Sequence, residues 1–288
     1  MSRWGWGAEM YETFVAIGDS FTEGLDDRRP DGSYRGWADL VAGELAAGTP
    51  GFRYANLAVR GRRFQHIRNE QVPLVEAMAP SLVTVSAGGN DIIGFRCDVT
   101  ELSRSMHELL ERLVDVAGTV VVFTGFDPRG RLPMGRALAT RAAAYNASVR
   151  SSGQRLGAHV VDLWTMPHLS EARMWAGDRL HLSTDGHELI AEAVLDVLGL
   201  TPGAGNRVQD EPVTRSWLAD RRSDAQWVST YFAPWLGRKL RGRSAGDFVD
   251  PKLPELTPVS AIPRARTTAD HRPTVTRRND DATSDVDS

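Results

Sequence analysis

The chain has 288 residues, of which 41% are hydrophobic, so it can bury one substantial core and still carry an appendage. Its 34 basic and 37 acidic residues leave a formal charge of −3, which excludes a global field that would recruit nucleic acid. A single cysteine, Cys97, excludes an intramolecular disulfide and fits a reducing compartment. We see no apolar run of signal-peptide length at the N-terminus and none of the roughly 20 residues that span a bilayer, so we expect a cytoplasmic protein.

From residue 13 onward, short β-branched apolar runs alternate with longer segments of helical periodicity. This alternation predicts a parallel sheet with helices packed on it. Five strands are predicted, at residues 13–17, 52–58, 81–87, 119–125 and 158–163. Apolar stripes predict three helices, carried by Trp37, Leu40, Val41 and Leu45, by Ile67, Leu74, Val75 and Met78, and by Met106, Leu109, Leu110, Leu113 and Val114. A last helix is predicted at 184–198, where Ser183 or Thr184 caps the first turn.

The main domain is predicted to span residues 1–200. Residues 201–256 form an extension rich in tryptophan and basic residues, which begins with a Gly- and Pro-rich linker at 201–212. We favour two helices whose aromatic side chains dock on the main domain; the alternative is a segment that makes weak contact with a membrane surface or a partner. Residues 257–288 contain very few large apolar residues and are predicted to be disordered.

The motif GDSFTEG, at 18–24, follows the first strand. Open α/β sheets place their ligands outside the carboxyl ends of the strands, and a serine in this turn directs both its hydroxyl and its N–H there. In isolation, Ser20 would equally suit a helix cap, because Asp and Ser are ordinary turn and capping residues.

The motif GGND, at 88–91, follows the third strand. There the Asn90 amide could donate to an oxyanion, or the motif could be only a turn.

The segment DRLHLSTDGHELIA, at 178–191, precedes and enters the last helix. A serine hydroxyl needs a base to remove its proton, and an imidazole base needs a carboxylate to fix its tautomer. Asp178 and His181 are three residues apart, a spacing that lets the carboxylate reach one ring nitrogen while the other faces the crevice. His187 is the competing base, but its place in the helix opening favours a packing or capping role.

Taken together, these three blocks resemble the SGNH family, also called GDSL-type esterases and lipases. A fourth block, NLAVRG at 56–61, ends in Gly61 and matches the family's glycine block. The four blocks occur in the family's order within residues 13–198. The resemblance implies a flavodoxin-like three-layer α/β/α sandwich with a five-stranded parallel sheet.

The resemblance also implies residue roles. Ser20 would be the nucleophile of a triad completed by Asp178 and His181, and the oxyanion hole would comprise the N–H groups of Ser20 and Gly61 with the Asn90 side chain. Phe21 stands where the family has the leucine of its GDSL name, and Leu182 stands where a proline commonly follows the histidine. We expect both departures to affect loop shape and substrate preference more than activity.

The predicted function is hydrolysis of ester bonds through an acyl-enzyme intermediate, on a small-molecule substrate and with no cofactor, no metal and no nucleic-acid partner. One alternative is acyl transfer to an alcohol on the same triad. Another is a non-catalytic module that binds a membrane or partner through the Trp-rich segment. A metal-dependent hydrolase is less favoured because the seven histidines show no H-E-x-x-H spacing. Candidate substrates are short-chain esters, acetylated sugars, lysophospholipids and thioesters.

Overall fold

The structure is a computed structural model and describes residues 11–94, 97–129, 135–200 and 246–259. Its strands are β1 (Thr13–Ile17), β2 (Arg53–Asn56), β3 (Leu82–Val85), β4 (Thr119–Phe123), β5 (His159–Val161) and β6 (Leu253–Pro258). They form one sheet in the order β5-β4-β3-β1-β2-β6. The first five are parallel, in agreement with the sequence prediction.

Strand β6 is the difference from the predicted five-stranded sheet. It pairs antiparallel with β2, with Tyr54 opposite Thr257 and Asn56 opposite Leu253. Its residues are only partly buried and include two prolines, so neither alternation nor β-branched content marked it as a strand. β6 also spans position 256, at which the sequence analysis ended the extension, so Thr257 and Pro258 belong to a strand and not to a disordered tail. Residues 260–288 of the predicted tail lie outside the described part of the chain.

Eight α-helices of the described residues pack around this sheet. Their bounds are α1 (Ser20–Glu23), α2 (Gly36–Gly48), α3 (Phe64–His66), α4 (Val72–Met78), α5 (Gly89–Ile92), α6 (Val99–Val116), α7 (Gly135–Leu156) and α8 (Thr184–Val197). A π-helical turn, Ile67–Gln71, joins α3 to α4, and three 3-10 turns lie between β5 and α8, at Leu163–Thr165, Pro167–Ser170 and Ala172–Met174. The sequence analysis missed α7, whose alanine- and arginine-rich composition gives only a weak apolar stripe.

The core lies on both faces of the sheet because successive side chains of a strand point in opposite directions. Phe14 and Ala16 of β1 join one buried cluster with α2 and α8, while Val15 and Ile17 join a second cluster with α4 and α6. All four side chains are completely buried. This double burial explains why the parallel strands read as continuous apolar runs. Leu74, which the sequence assigned to an apolar stripe, is 42% exposed instead.

The order of the strands determines where a ligand can bind. β1 lies between β2 and β3, so the chain leaves β1 toward one side of the sheet and later returns to its other side. In open parallel sheets, such a switch point opens a crevice at the carboxyl ends of the strands. The GDSFTEG motif follows β1 and the GGND motif follows β3, so both border this crevice.

Residues 201–245 lie outside the described part of the chain. They include most of the Trp-rich segment, for which the sequence analysis favoured docking on the main domain and kept a surface contact as the alternative. Within the described ranges, none of the helices combines the length and the apolar character needed to cross a bilayer.

Candidate active site

A chain of hydrogen bonds joins Ser20, His181 and Asp178. Nε2 of His181 lies 3.0 Å from Oγ of Ser20, although the two residues are 161 positions apart in sequence. Nδ1 of the same ring is hydrogen-bonded to Oδ2 of Asp178. Ser20 begins α1 directly after β1, and Asp178 and His181 belong to the loop before α8. The structure thus brings together the three residues that the sequence placed in one triad.

The loop before α8 holds Asp178 in place through its own backbone. Oδ1 of Asp178 accepts hydrogen bonds from the N–H groups of Leu180 and His181, each at 3.0 Å. Burial would raise the pKa of Asp178, but these bonds and the His181 imidazole outweigh it and lower the pKa. Asp178 is therefore a carboxylate at neutral pH, and its charge favours the protonated form of the imidazole beside it.

The His181 ring is mostly buried, and burial alone would lower its pKa. Hydrogen bonds and charge from Asp178 and Asp26 outweigh burial and raise the pKa of His181 to about 9. Oδ2 of Asp26 lies 3.5 Å from Nδ1 of His181, so two carboxylates act on the same ring nitrogen. The neutral form of this imidazole is therefore a strong base toward the Ser20 hydroxyl.

Asn90 is connected to Ser20 through Asp19. Its Nδ2 donates to Oδ2 of Asp19 at 2.8 Å and to the carbonyl of Arg62 at 3.0 Å. Burial raises the pKa of Asp19 to about 6, although bonds from the Phe21 N–H and Asn90 favour its charged form. Donation to an oxyanion requires Asn90 to exchange one of these two bonds.

Gly61 lies in the turn after β2, where the Arg62 N–H donates to the carbonyl of Val59 at 3.3 Å. Its φ of +74° is left-handed, a conformation that glycine adopts without a Cβ clash. The adjacent Arg60 fixes the turn to α1, because its N–H donates to Oε2 of Glu23 at 2.7 Å and its Nε to Oε1 at 3.0 Å. Since Arg62 accepts from Asn90, the structure brings the Gly61 turn, Asn90 and the start of α1 together.

Comparison with known proteins identifies the family. The model of the GDSL-like Lipase/Acylhydrolase family matches residues 16–189, which is more than half of the chain. The chain belongs to this family. It is therefore an ester-hydrolysing enzyme, as the sequence analysis predicted. A search of curated proteins gave no match.

Solved structures show the same fold. An α/β hydrolase from the metagenome of Lake Arreo, Spain, is 23% identical with a TM-score of 0.56, and the match covers 66% of this chain and 95% of that chain. A catalytic mutant of an acetylxylan esterase from Geobacillus stearothermophilus is 22% identical with a TM-score of 0.54, and the match covers 65% of this chain and 94% of that chain. Both resemble this member of the GDSL-like family in fold.

Aromatic packing accounts for the phenylalanine that replaces the leucine of the GDSL name. The Phe21 ring lies 5.7 Å from that of Trp37 and 5.3 Å, edge-on, from that of Phe123. Trp37 also donates from Nε1 to the carbonyl of Phe21 at 2.9 Å. The other departure from the family pattern, Leu182, is buried and forms an isolated β-bridge with Trp175. Leu182 belongs to the buried core, and Phe21, which is partly buried, packs against the same core.

His187, the competing base, is placed elsewhere. It is buried, its Nδ1 accepts from the N–H of Trp37 at 3.2 Å, and its Nε2 donates to the carbonyl of Leu25 at 3.3 Å. Burial lowers the pKa of His187 to about 4, so the ring stays neutral and joins α8 to α2.

The sequence analysis missed three residues that support the site. Gln71 is buried, and its side-chain amide forms two hydrogen bonds with the Gly18 backbone: it accepts from the N–H at 2.8 Å and donates to the carbonyl at 2.9 Å. Asp19 was interpreted only as a turn residue of the GDS motif. Asp26 carried no local signal that separates it from Asp27, because only the tertiary structure decides which of the two carboxylates faces His181.

Asp26, Asp178 and His181 offer oxygen and nitrogen atoms within 4.8 Å of one another. Nδ1 of His181 is already hydrogen-bonded to Asp178, which also accepts from two backbone N–H groups. The ring nitrogen that faces the two carboxylates is therefore already engaged in a hydrogen bond. A separate cavity of about 350 Å³ lies between the loops that follow β4 and β5, lined among others by Asp127, Trp164 and Met166.

Proposed function

We propose that this enzyme is a serine esterase in which Ser20 is the nucleophile, His181 the general base and Asp178 the residue that orients the base. The observation that carries the proposal is the hydrogen-bonded series from Asp178 through His181 to Ser20, at the switch point of the sheet. An activated serine needs this arrangement of nucleophile, base and orienting carboxylate. Membership of the lipase/acylhydrolase family supports the choice of esters as substrates.

In the proposed first half-reaction, Oγ of Ser20 forms a bond to the ester carbonyl carbon while its proton passes to Nε2 of His181. The carbon–oxygen bond to the alcohol then breaks, and His181 returns the proton to the leaving oxygen. In the second half-reaction, water attacks the carbonyl carbon of the acyl-enzyme and gives one proton to His181. The bond from that carbon to Oγ of Ser20 then breaks, His181 returns the proton to Oγ, and the acid leaves. The N–H groups of Ser20 and Gly61 with the Asn90 amide would stabilise the oxyanion of each tetrahedral intermediate.

The first test is intact-protein mass spectrometry after incubation with a fluorophosphonate, with turnover of p-nitrophenyl acetate followed in parallel. We expect one adduct on the wild-type protein and on Ser33→Ala, and neither adduct nor turnover on Ser20→Ala. Ser33 is a suitable control because it is exposed and its hydroxyl donates to Asp31 rather than to the site. An adduct that persists in folded Ser20→Ala would refute the assignment.

The same preparation tests acyl transfer. An alcohol is added during turnover. If only water attacks the acyl-enzyme, the free acid is the sole acyl product; if the alcohol attacks as well, a new ester forms.

A further inference from the structure

The loop after α1 places a second carboxylate against the histidine of the site. Oδ2 of Asp26 lies 3.5 Å from Nδ1 of His181, on the same ring nitrogen that is bonded to Asp178. The Asp26 side chain is 32% exposed and that of His181 is 17% exposed, so solvent only partly screens the pair. A triad of one serine, one histidine and one carboxylate does not require this fourth group.

The backbone at Asp26 is unusual. Its φ is +73°, in the left-handed region that residues with a Cβ rarely adopt and that Asp and Asn tolerate best. Residues in sparsely populated backbone conformations persist where the surrounding structure fixes them, and they are concentrated at functional sites. Here the conformation directs the carboxylate toward His181.

Several contacts hold the loop in this arrangement. Gly24 and Gly36 pack so closely that a Cβ on Gly24 would lie 2.6 Å from the Cα of Gly36. Asp27, the next residue, accepts from Nε of Arg35 at 2.8 Å and from the hydroxyl of Thr184 at 2.9 Å. Because Thr184 begins α8 three residues after His181, the loop after α1 is attached to the helix that directly follows the His181 loop.

Three acidic groups of the described residues act on His181 from different elements. Asp178 belongs to its own loop, Asp26 to the loop after α1, and Asp19 to the turn between β1 and α1. When Nε2 accepts the proton of Ser20, Nδ1 carries the other ring proton, and Asp178 is its closer acceptor. Asp26 therefore acts mainly through its charge, which favours the imidazolium that forms when Ser20 loses its proton. Both Asp178 and Asp26 contribute to the raised pKa of His181.

We propose that Asp26 is a positioning residue that acts with Asp178 on Nδ1 of His181 and sets the pH range in which the histidine can remove the proton of Ser20. This inference rests on the proposed function, in which His181 is the general base. The loop after α1 then sets the pH at which the enzyme is active, whereas Asp178 orients the His181 ring.

The direction of the effect follows from the charge. Without the Asp26 carboxylate the imidazolium is less favoured, so the neutral base exists at lower pH. We expect the acidic limb of kcat/KM in Asp26→Asn to move down by roughly one pH unit. The alkaline plateau should fall, because a weaker base is a poorer proton acceptor, so the wild-type and variant profiles cross. A merely structural loss would lower the whole profile without moving the limb.

The experiment compares the full-length wild type with Asp26→Asn and with Asp31→Asn. Asparagine tolerates the left-handed backbone, and Asp31 is an exposed carboxylate of the same loop that accepts from Ser33. The kcat/KM of p-nitrophenyl acetate is measured from about pH 5 to about pH 10, and rates of Ser20→Ala are subtracted as the background. If Asp26→Asn does not fold, Asp26→Gly retains the backbone conformation and removes the carboxylate.

A second measurement does not depend on turnover. The His181 ring is titrated by NMR without substrate, and its signal is assigned among the seven histidines by comparison with His181→Gln. A lower midpoint and a lower acidic limb in Asp26→Asn, with both unchanged in Asp31→Asn, support the proposal. An unchanged midpoint in Asp26→Asn overturns it. Turnover that persists in Ser20→Ala refutes the proposed function instead, and the NMR midpoint then decides alone whether Asp26 acts on His181.

Discussion

At the scale of single residues, burial of an acidic side chain near Ser20 lowers the stability of the folded protein at neutral pH. Asp19 is the clearest example: it is buried beside Ser20, its carboxylate accepts from Asn90 and from the Phe21 N–H, and burial nevertheless raises its pKa to about 6. A carboxyl group whose pKa is raised on folding destabilises the folded protein at neutral pH. We interpret this as the cost of orienting Asn90.

This interpretation predicts a pH-dependent stability difference. Between the ordinary value of 3.8 and about 6, the folded protein binds a proton on Asp19 that the unfolded chain has released. Wild-type stability therefore falls as pH rises through this window, by roughly 3 kcal/mol. Asp19→Asn lacks this loss, so its free energy of unfolding relative to wild type should increase by that amount from about pH 3.5 to about pH 7.5, measured by urea denaturation.

Asp31→Asn provides the control of opposite sign. Hydrogen bonds from Ser33 lower the pKa of Asp31, so its contribution is present at neutral pH and lost as pH falls. Relative to wild type, Asp31→Asn should therefore become less stable as pH rises. If Asp19→Asn shows no increase with pH, Asp19 is not protonated in the folded protein at pH 5.

Asn90 gives a kinetic prediction at the same scale. As an oxyanion donor it should contribute to the transition state more than to substrate binding, so Asn90→Ala should lower kcat by about 100- to 1,000-fold with little change in KM. Asn69→Ala, which removes an exposed amide, is the matched control. An unchanged kcat in Asn90→Ala would show that its bonds to Asp19 and Arg62 serve only the structure.

The loop from Gly24 to Arg35 is an element whose position depends on a distant part of the chain. Lys252, just before β6, donates from Nζ to the carbonyls of Glu23 at 2.8 Å and Arg35 at 2.7 Å, and it pairs with Asp39 at 2.8 Å. Burial lowers the pKa of Lys252, although Asp39 favours its charge. One cation thus satisfies backbone acceptors at both ends of the loop that carries Asp26.

We predict that Lys252→Met lowers both stability and activity. Removing one partner of a buried ion pair typically costs about 3–5 kcal/mol, and here Asp39 retains Arg29, so we expect about 2–3 kcal/mol in urea denaturation. Arg112→Met is the control, because Arg112 of α6 pairs with Glu76 of α4 at 2.8 Å and belongs neither to this loop nor to its partners. Only Lys252→Met should lower kcat/KM. Equal losses in both variants would contradict a role for Lys252 in positioning the loop.

At the scale of the whole molecule, one edge of the sheet is formed by β6, which lies outside residues 16–189 that the family model matches. β6 pairs with β2, and Gly246 packs so closely on the Gly61 turn that a Cβ there would clash with the carbonyl of Arg60. β6 therefore covers the edge of β2, where unpaired N–H and C=O groups would invite association with another chain.

Truncation tests this arrangement. Removing residues 246–288 deletes β6 and Lys252, and should lower the melting temperature by roughly 10 °C or more and promote aggregation. Removing only 260–288 leaves every contact described above intact and should leave the melting temperature unchanged. The measurement is differential scanning calorimetry with light scattering. If both truncations melt like the full chain, β6 is not part of the folded unit.

The sequence by itself determined five of the six strands in the described residues and the family, and it predicted that Ser20, His181 and Asp178 share one site, where the structure brings them together. It could do so because buried parallel strands are continuous apolar runs and because the motifs are local. Only the tertiary structure decided the rest. β6 joins the sheet through backbone pairing that its composition does not indicate. Lys252 binds carbonyls more than 200 residues away in the chain. Asp26 rather than Asp27 faces His181 because of one left-handed backbone angle. These features depend on where separate segments meet, which no local pattern specifies.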